Sequence, residues 1–282
     1  MIRQLFPLKI KIILSRYPYV RGLNLQSIFR GVLALCISNS FVLTETYAQI
    51  EDSFPSGQSI PSTSCGSIIN ESTELSANLV CNGHGLIANA SNISIAMNGY
   101  SIIGPGIQST KSGIIVPDLY NVTIYGPGRI IDFQSGIFVS GSNKLNTSLV
   151  FIDKNQIGIY LTGSFDSNLE GSMLRNNELG VAAHSSGDIR SNENYFYGNS
   201  LAGISFINTV NSSITLNYVN GSQNGIFTDP SSLSTAISFN FLRNIIDINS
   251  ANGLANDITN NTYEGNYCEL SLPSGICRGV PD

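Results

Sequence analysis

The chain has 282 residues, of which 42% are hydrophobic and only 12% charged, and its formal net charge is −5. Five cysteines, 27 glycines and no tryptophan complete the composition. Basic side chains are concentrated in the first 30 residues, so no lysine and arginine cluster remains elsewhere to bind phosphates, and nucleic acid is not expected as a partner.

The first predicted element is a secretory signal peptide over residues 1–48. Six basic residues and no acid precede an apolar run of 13 residues from Gly31 to Leu43, and Thr46-Tyr47-Ala48 supplies small residues for cleavage after Ala48. A membrane-spanning helix needs about 20 apolar residues. We therefore expect a cleaved leader, with an uncleaved anchor as the alternative, and no membrane span in the mature chain.

Cleavage would leave 8 basic and 18 acidic residues in a protein predicted to be secreted or held at the cell surface. Residues 49–64, rich in proline, serine and threonine, are expected to form a flexible leader. Four cysteines follow as two local pairs, which predicts the disulfides Cys65–Cys81 and Cys268–Cys277 in an oxidising compartment. A zinc site would need all four together.

Asparagine is abundant, with 29 copies after residue 48. Eight of these stand in N-x-S/T sequons and are candidate glycosylation sites in an exported chain. They are Asn70, Asn89, Asn92, Asn121, Asn146, Asn211, Asn220 and Asn260. A chain this rich in asparagine, serine and threonine also forms sequons by chance.

A glycine–aliphatic pair recurs along the middle of the chain at intervals of 23, 22, 22, 23, 22 and 22 residues. Its copies are Gly113-Ile114, Gly136-Ile137, Gly158-Ile159, Gly180-Val181, Gly203-Ile204 and Gly225-Ile226, continued by Asp247-Ile248. Near-equal intervals of this kind are the signature of a stacked repeat architecture.

Each repeat predicts two or three short strands around a bend, without a helix. The residues after each glycine alternate apolar and polar, and a second short apolar segment follows in each unit. Stacked coils would pair each strand in parallel with its copy about 4.8 Å away. Two inward columns are predicted: Ile114, Ile137, Ile159, Val181, Ile204, Ile226 and Ile248, and Val116, Val139, Leu161, Ala183, Phe206 and Thr228.

A turn-forming asparagine also recurs at a matched position of the repeat. It is Asn192, Asn217 and Asn240 in the three I-x-x-N strings that begin at Ile189, Ile214 and Ile237, and an earlier coil has Ser172 there. Stacked asparagine side chains can hydrogen-bond along such a column and satisfy amides in a partly buried bend.

These repeats resemble the pectin-lyase-like superfamily. The entry segment from Cys65-Gly66 to Gly106 and the segment Asn121–Ile130 are similar to the first coils of small secreted members. The resemblance implies an all-β, right-handed, single-stranded parallel β-helix. We expect an N-terminal cap and first coils over 65–106, repeats over 107–262, and a C-terminal cap and tail over 263–282, with each end pinned by a disulfide.

The resemblance does not extend to a catalytic set. Of the polygalacturonase motifs only G-H-G occurs, at Gly83-His84-Gly85, and it precedes the repeats. The lyase groove lacks its basic residues, and the D-P-H-D motif of epimerases has only Thr228-Asp229-Pro230-Ser231 as its nearest string. Some periplasmic copper-associated proteins share this repeat, but two histidines, two methionines and paired cysteines predict no copper site. No metal or other cofactor is expected.

The outward positions of the glycine strands supply the candidate site residues. Phe138 and Tyr160 should be neighbours on consecutive coils, and with Phe227 they are candidates for stacking on sugars. Alternatively, the rings only support a β surface. His184 and Asp229 are the candidate catalytic pair, two coils or about 10 Å apart.

Two main hypotheses follow for the function. In the first, the chain is a non-catalytic β-helix at the cell surface that interacts with glycans or serves as a structural component of the envelope. In the second, it is a divergent polysaccharide lyase, epimerase or hydrolase that acts in a groove on the outer face of the glycine strands. An adhesin-like interaction module is a third option. The sequence favours no particular oligomeric state.

Overall fold

The computed structural model describes residues 63–250 and 260–279. The predicted signal peptide over 1–48 and most of the predicted leader lie outside the described residues. The described residues contain strands, turns and bends and no helix, so none of them forms a helix that could cross a membrane.

Three parallel sheets of 10, 9 and 8 strands run along the fold, and each of the first eight coils contributes one strand to each sheet. Sheet 1 contains Ser67–Ile69, Leu86–Ala88, Ser112–Pro117, Ser135–Ser140, Ile157–Thr162, Leu179–His184, Ala202–Ile207, Asn224–Thr228, Ile246–Ser250 and Ser271–Leu272. Sheet 2 contains Thr73–Glu74, Ser94–Ala96, Tyr120–Tyr125, Asn143–Ser148, Asn168–Glu170, Arg190–Asn192, Ser213–Thr215, Ala236–Ser238 and Thr262–Glu264. Sheet 3 contains Leu79–Val80, Ser101–Ile103, Arg129–Ile131, Phe151–Asp153, Met173–Arg175, Tyr195–Tyr197, Tyr218–Asn220 and Phe241–Arg243.

The fold is therefore a right-handed parallel β-helix of about nine coils, which confirms the predicted architecture. We number the coils from the strand Ser67–Ile69, so that coil 3 begins at Ser112 and coil 6 at Leu179. Neighbouring coils pair in register, as in Ile137 opposite Ile114 on one side and Ile159 on the other. Both predicted inward columns are buried, with every isoleucine of the first fully inaccessible to solvent.

Steric contact between coils explains the repeated glycine. A Cβ atom on Gly136 would lie 2.6 Å from the carbonyl oxygen of Gly158, and one on Gly203 would lie 2.8 Å from that of Gly225. Real side chains do not approach a backbone oxygen so closely, so only glycine lets the coils stack here. Asp247 occupies this position in the ninth coil, where its buried carboxylate accepts hydrogen bonds from the backbone N–H groups of Asn244 and Glu269.

Replacing Gly136 by alanine is therefore expected to lower the free energy of unfolding by about 3 kcal/mol, since a methyl group would have to push two coils apart. Urea denaturation would measure the loss. Gly83→Ala is the matched control, because nothing lies within 4 Å of a Cβ atom at that position. Equal stability of the two variants would contradict this explanation of the repeat.

Stacked asparagines line the corner between sheets 2 and 3, as the sequence predicts. One residue of the predicted column, Asn192, was assigned incorrectly. The backbone N–H of Asn194 donates to the side-chain oxygen of Asn217, and that of Asn217 donates to Asn240. The predicted Asn192 lies instead in a strand, opposite Thr215. Ser191 takes the inward position that an isoleucine holds in later coils, so the I-x-x-N pattern is displaced by two residues there.

A second asparagine ladder lies at the corner between sheets 3 and 1, and the sequence analysis missed it. Here the backbone N–H of Asn155 donates to Asn177 at 2.8 Å, and that of Asn177 donates to Asn199 at 3.1 Å. All three side chains are buried. Two of the three corners are therefore held by amide ladders that run along the solenoid axis.

Both predicted disulfides are confirmed. Cys65 bonds to Cys81 across the first coil, with their Cα atoms 5.4 Å apart, and Cys268 bonds to Cys277 after the last complete coil, with a Cα separation of 4.9 Å. Cys81 and Cys268 are themselves buried in the core. Each bond therefore fastens a terminal segment to the stacked coils near one end.

Candidate functional site

The two candidate catalytic residues lie on the outer face of sheet 1, two coils apart. His184 ends its strand opposite Thr162 and Ile207, and Asp229 directly follows the strand Asn224–Thr228. Two coils correspond to about 10 Å, too far for a hydrogen bond between the two side chains. The catalytic role of this pair stays a prediction.

The carboxylate of Asp229 is already hydrogen-bonded within the protein. It accepts hydrogen bonds from the hydroxyls of Ser231 and Ser232 and from the backbone N–H of Asn208. Burial opposes ionisation of this group, but these hydrogen bonds outweigh burial and hold the pKa of Asp229 below its ordinary value. A carboxylate held ionised in this way is suited to fixing a turn and poorly suited to donating a proton.

His84 in the G-H-G string also has a structural partner. Its Nδ1 atom accepts a hydrogen bond from the backbone N–H of Ser112 at 3.1 Å. Partial burial, together with the charge of Lys111, lowers the pKa of His84. The neutral imidazole therefore helps to join the entry turn to the third coil.

The predicted aromatic neighbours on sheet 1 are confirmed as neighbours. The ring centroids of Phe138 and Tyr160 lie 5.6 Å apart with the planes tilted by 42°. The third candidate, Phe227, is separated from this pair by the small residues Ala182 and Ser205 at the same register position. The three rings therefore form a pair and an isolated ring, and their sugar-binding role stays a prediction.

The sequon asparagines among the described residues are all at least partly exposed. Two pairs of them bond to each other across coils, Asn89 to Asn70 and Asn121 to Asn92. Their side-chain amides are therefore part of surface ladders, and their glycosylation stays a prediction.

A cavity lies on a different surface of the solenoid. It is a groove of about 310 Å³ at the corner between sheets 2 and 3, which we call the corner groove. Its lining residues are Pro127, Leu149, Val150, Phe151, Gly171, Ser172, Met173, Glu193 and Tyr195. This volume lies at the small end of the range for ligand pockets.

One wall of the corner groove is a row of turn residues with left-handed backbone. Leu149, Gly171, Glu193, Leu216 and Phe239 hold this place in successive coils, with φ between 54° and 58°. A side chain in this conformation points outward from the corner, and Leu149 and Phe239 are 43% and 48% exposed. Gly171 interrupts the row, so a gap two coils wide opens between Leu149 and Glu193.

The other wall is the outermost row of sheet 3. Its members, matched in register from coil to coil, are Arg129, Phe151, Met173, Tyr195, Tyr218 and Phe241. Tyr195 and Tyr218 are stacked with their planes parallel and their centroids 4.8 Å apart, and Tyr218 and Phe241 follow at 5.4 Å. Tyr218 is thus covered on both faces, whereas the neighbour of Tyr195 on its other side in this row is Met173.

Three charged side chains form what we call the arginine clamp, next to the corner groove on sheet 3. The side chain of Asp153 is 2% exposed, and its carboxylate accepts hydrogen bonds from Arg129, from Arg175 at 3.2 Å and from Asn176 at 3.0 Å. Burial opposes its ionisation, but the hydrogen bonds from Asn176 and Arg129 and the charges of both arginines hold the pKa of Asp153 below its ordinary value.

The sequence carries a signal for the outer row of sheet 3. Its members recur at intervals of 22, 22, 22, 23 and 23 residues, the same spacing as the glycine pair. The glycine pair marks only sheet 1, so the predicted outward residues did not include this row. The Gly171 gap has no comparable signal, because the corner residues share a backbone conformation and not a residue type.

No group of three or more histidine, cysteine, aspartate or glutamate side chains comes together among the residues that the structure describes. All four cysteines after residue 48 are in disulfides, and Met97 is fully buried in the core. His84 precedes the strand Leu86–Ala88 and His184 lies four coils further along sheet 1. The softer metal donors are therefore dispersed over the solenoid.

Comparison with known proteins gives one family match. The family model described as "Periplasmic copper-binding protein (NosD)" matches residues 65–275. No curated protein matches the sequence significantly.

Solved structures with a similar fold include tailspike protein 2 of an Escherichia coli O157:H7 bacteriophage, at 16% identity and a TM-score of 0.44, over 65% of this chain and 32% of the tailspike. The enzymatically active domain of a bacteriophage tailspike protein 2 follows at 15% identity and 0.41, over 73% and 38%. The A-module of a mannuronan C-5 epimerase from Azotobacter vinelandii matches at 12% and 0.36, over 76% and 81%. The chain thus spans about a third of the tailspike chains.

Proposed function

Because the chain belongs to the NosD family of right-handed parallel β-helix proteins, we propose that it is a non-catalytic scaffold outside the cytoplasm that binds glycans in the corner groove. The family is described as periplasmic, which agrees with the predicted signal peptide and with the two disulfides.

The observation that carries the proposal is the gap at Gly171. It opens beside the side chains of Phe151, Met173 and Tyr195, of which Phe151 and Tyr195 are 43% and 37% exposed, and Glu193 lines its far end. Sugars bind to proteins through aromatic faces that meet their C–H bonds and through polar groups that meet their hydroxyls. The structure gives the Glu193 carboxylate no hydrogen-bond partner among the described residues, so it is available to accept from a hydroxyl.

The composition of the groove favours binding over turnover. Glycoside hydrolysis uses two carboxyl groups, about 5 to 9.5 Å apart, on opposite sides of the scissile bond. The residues that line the corner groove include only one carboxylate, that of Glu193. On sheet 1, Asp229 is engaged by two serine hydroxyls and lies two coils from His184.

The family description names copper, and the described residues do not fit a copper site. Copper prefers imidazole, thiolate and thioether ligands close together. Here the cysteines are bonded in pairs, and the two histidines lie four coils apart. We therefore derive no step that involves copper.

Filling the gap should abolish glycan binding while leaving the fold intact. Leucine already occupies the equivalent position at Leu149 and Leu216, with the same left-handed backbone, so Gly171→Leu introduces a side chain that this corner tolerates. The atom nearest to a new Cβ is 3.6 Å away, an ordinary contact. We expect retention on immobilised polysaccharides, both neutral and acidic, to weaken at least tenfold.

Gly163→Leu is the matched control, because Gly163 also has a left-handed backbone, with φ at 56°, but lies at the corner between sheets 1 and 2. Tyr160→Ala tests the alternative position on sheet 1. Loss of retention in Tyr160→Ala but not in Gly171→Leu would move the site to sheet 1 and refute the corner groove. Equal loss in Gly171→Leu and Gly163→Leu would also refute it.

A further inference from the structure

The arginine clamp has hydrogen-bonding capacity that the fold does not use. Each guanidinium has five N–H donors. Among the described residues, each arginine side chain is bonded only to Asp153, through a single nitrogen. Arg129 also has a buried Nε atom without an acceptor. The side chains of Arg129 and Arg175 are 39% and 33% exposed, so part of each lies at the surface.

The position of Asp153 explains how two cations come to lie side by side. Arg129 and Arg175 stand on coils 3 and 5, about 10 Å apart along the axis. Asp153 stands between them on coil 4, and its buried carboxylate bonds to both. One anion thus holds two guanidinium groups on the same surface, and the cluster keeps a net charge of +1.

The clamp adjoins the corner groove through Arg129, and Arg175 lies two residues beyond Met173 of the groove lining. Arg129 is the register neighbour of Phe151, which lines the groove, and Pro127 of the lining lies two residues before it. Glu193 lies at the opposite end, three coils or about 14 Å from Arg129. The groove is therefore cationic at its coil 3 end, apolar and aromatic in the middle, and anionic at its coil 6 end.

This local charge contrasts with the rest of the chain. After residue 48 the chain has 8 basic and 18 acidic residues, and four of the 8 lie on coils 3 to 5: Arg129, Lys154 and Arg175 in or directly after strands of sheet 3, and Lys144 on sheet 2. Asp132 is the acidic residue one coil before Lys154. A polyanion would be repelled by the protein as a whole, so any attraction must come from this cluster.

We propose that the arginine clamp binds an oxyanion substituent, a carboxylate or a sulfate, on a glycan whose sugar ring lies in the corner groove. Paired guanidinium groups match the geometry of such oxyanions, and their hydrogen bonds to a charged acceptor are stronger than those between neutral groups. This inference rests on the proposed glycan binding and specifies in addition that the bound glycan is negatively charged. Asp153 is a positioning residue that does not itself contact the glycan.

The test uses polymers that share a backbone and differ only in charge. The first set is dextran, carboxymethyl-dextran and dextran sulfate, and the second is polygalacturonate and its carboxyl-reduced form. We expect the wild-type protein to bind at least one charged polymer about tenfold more tightly than its neutral parent, and to lose this preference as salt is raised. The carboxymethyl and sulfate arms distinguish the two oxyanions.

Arg129→Gln and Arg175→Gln should each reduce the affinity for the charged polymer about tenfold and leave the affinity for the neutral parent unchanged. Arg190→Gln is the control, because Arg190 pairs with Asp166 on an exposed surface of sheet 2, with side chains 57% and 38% exposed. It removes one positive charge without touching the clamp.

The outcomes separate the two proposals. If the protein binds charged and neutral polymers with equal affinity and Gly171→Leu abolishes binding of both, the proposed oxyanion site is refuted and glycan binding in the corner groove is supported. The oxyanion site is also refuted if both arginine variants still prefer the charged polymer, or if Arg190→Gln reduces this preference as much as they do. Failure of every polymer in both sets to bind would overturn both proposals.

Discussion

Replacing Asn217 by alanine should lower the free energy of unfolding by about 4 kcal/mol, because it leaves at least two buried backbone groups without partners. The side chain of Asn217 accepts from the backbone N–H of Asn194 at 3.0 Å and donates to the carbonyl of Ser191 at 2.9 Å. It is only 1% exposed, so water cannot replace these bonds at the surface. Urea denaturation monitored by circular dichroism would measure the change.

Asn143→Ala is the control for this substitution. Asn143 lies in a strand of sheet 2, its side chain is exposed, and its side-chain amide makes no hydrogen bond to any described residue. Its removal should change the free energy of unfolding by no more than about 0.5 kcal/mol. If both variants lose the same stability, the asparagine ladder is not a main support of the corner.

The second large effect concerns Asp153. Asp153→Asn should lower the free energy of unfolding at neutral pH by about 2 kcal/mol, because two arginines then face a neutral amide. This figure is smaller than for a fully buried ion pair, since both arginines are about one third exposed. Asp166→Asn is the control, because the exposed pair of Asp166 with Arg190 is worth less than about 1 kcal/mol.

The pH dependence of this effect has a definite sign. The pKa of Asp153 is lower in the folded protein than its ordinary value of 3.8, so ionisation of this group stabilises the fold at any pH above that value. The contribution is lost as the pH falls through the lowered pKa. The stability difference between wild type and Asp153→Asn should therefore be constant from pH 7 to pH 5 and shrink below pH 4. A difference that grows on acidification would contradict this.

The repeated glycine pair was enough to predict the architecture, because the same close contact between neighbouring coils requires a glycine at this position from coil 3 to coil 8. A Cβ on Gly136 or Gly203 would collide with the next coil, so the repeat cannot vary there. The same regularity gave the inward columns and the neighbouring rings of Phe138 and Tyr160. In coil 6 a serine, Ser191, takes the inward position that an isoleucine holds in later coils. The predicted ladder residue was therefore Asn192, two positions before the residue that forms the ladder, Asn194.

The candidate site was much less predictable, and the reason is physical. Its gap exists because Gly171 stands in a row where coils 4, 6, 7 and 8 have leucine, glutamate or phenylalanine, a difference that matters only once the corner is known to project these side chains outward. The contacts of Asp153 with Arg129 and Arg175 join residues 24 and 22 positions apart. Such contacts follow from the register of sheet 3, which the glycine pattern does not reveal.

Binding without chemical change of the glycan distinguishes a scaffold from an enzyme on this fold. To tell them apart, the mature protein is incubated with neutral and uronate-rich polysaccharides, and retention, reducing ends and the ultraviolet absorbance of unsaturated uronates are followed together. We expect retention that is lost in Gly171→Leu and no product in any assay. Product formed by the wild-type protein, and abolished in His184→Ala or Asp229→Ala, would contradict it and place an active site on sheet 1.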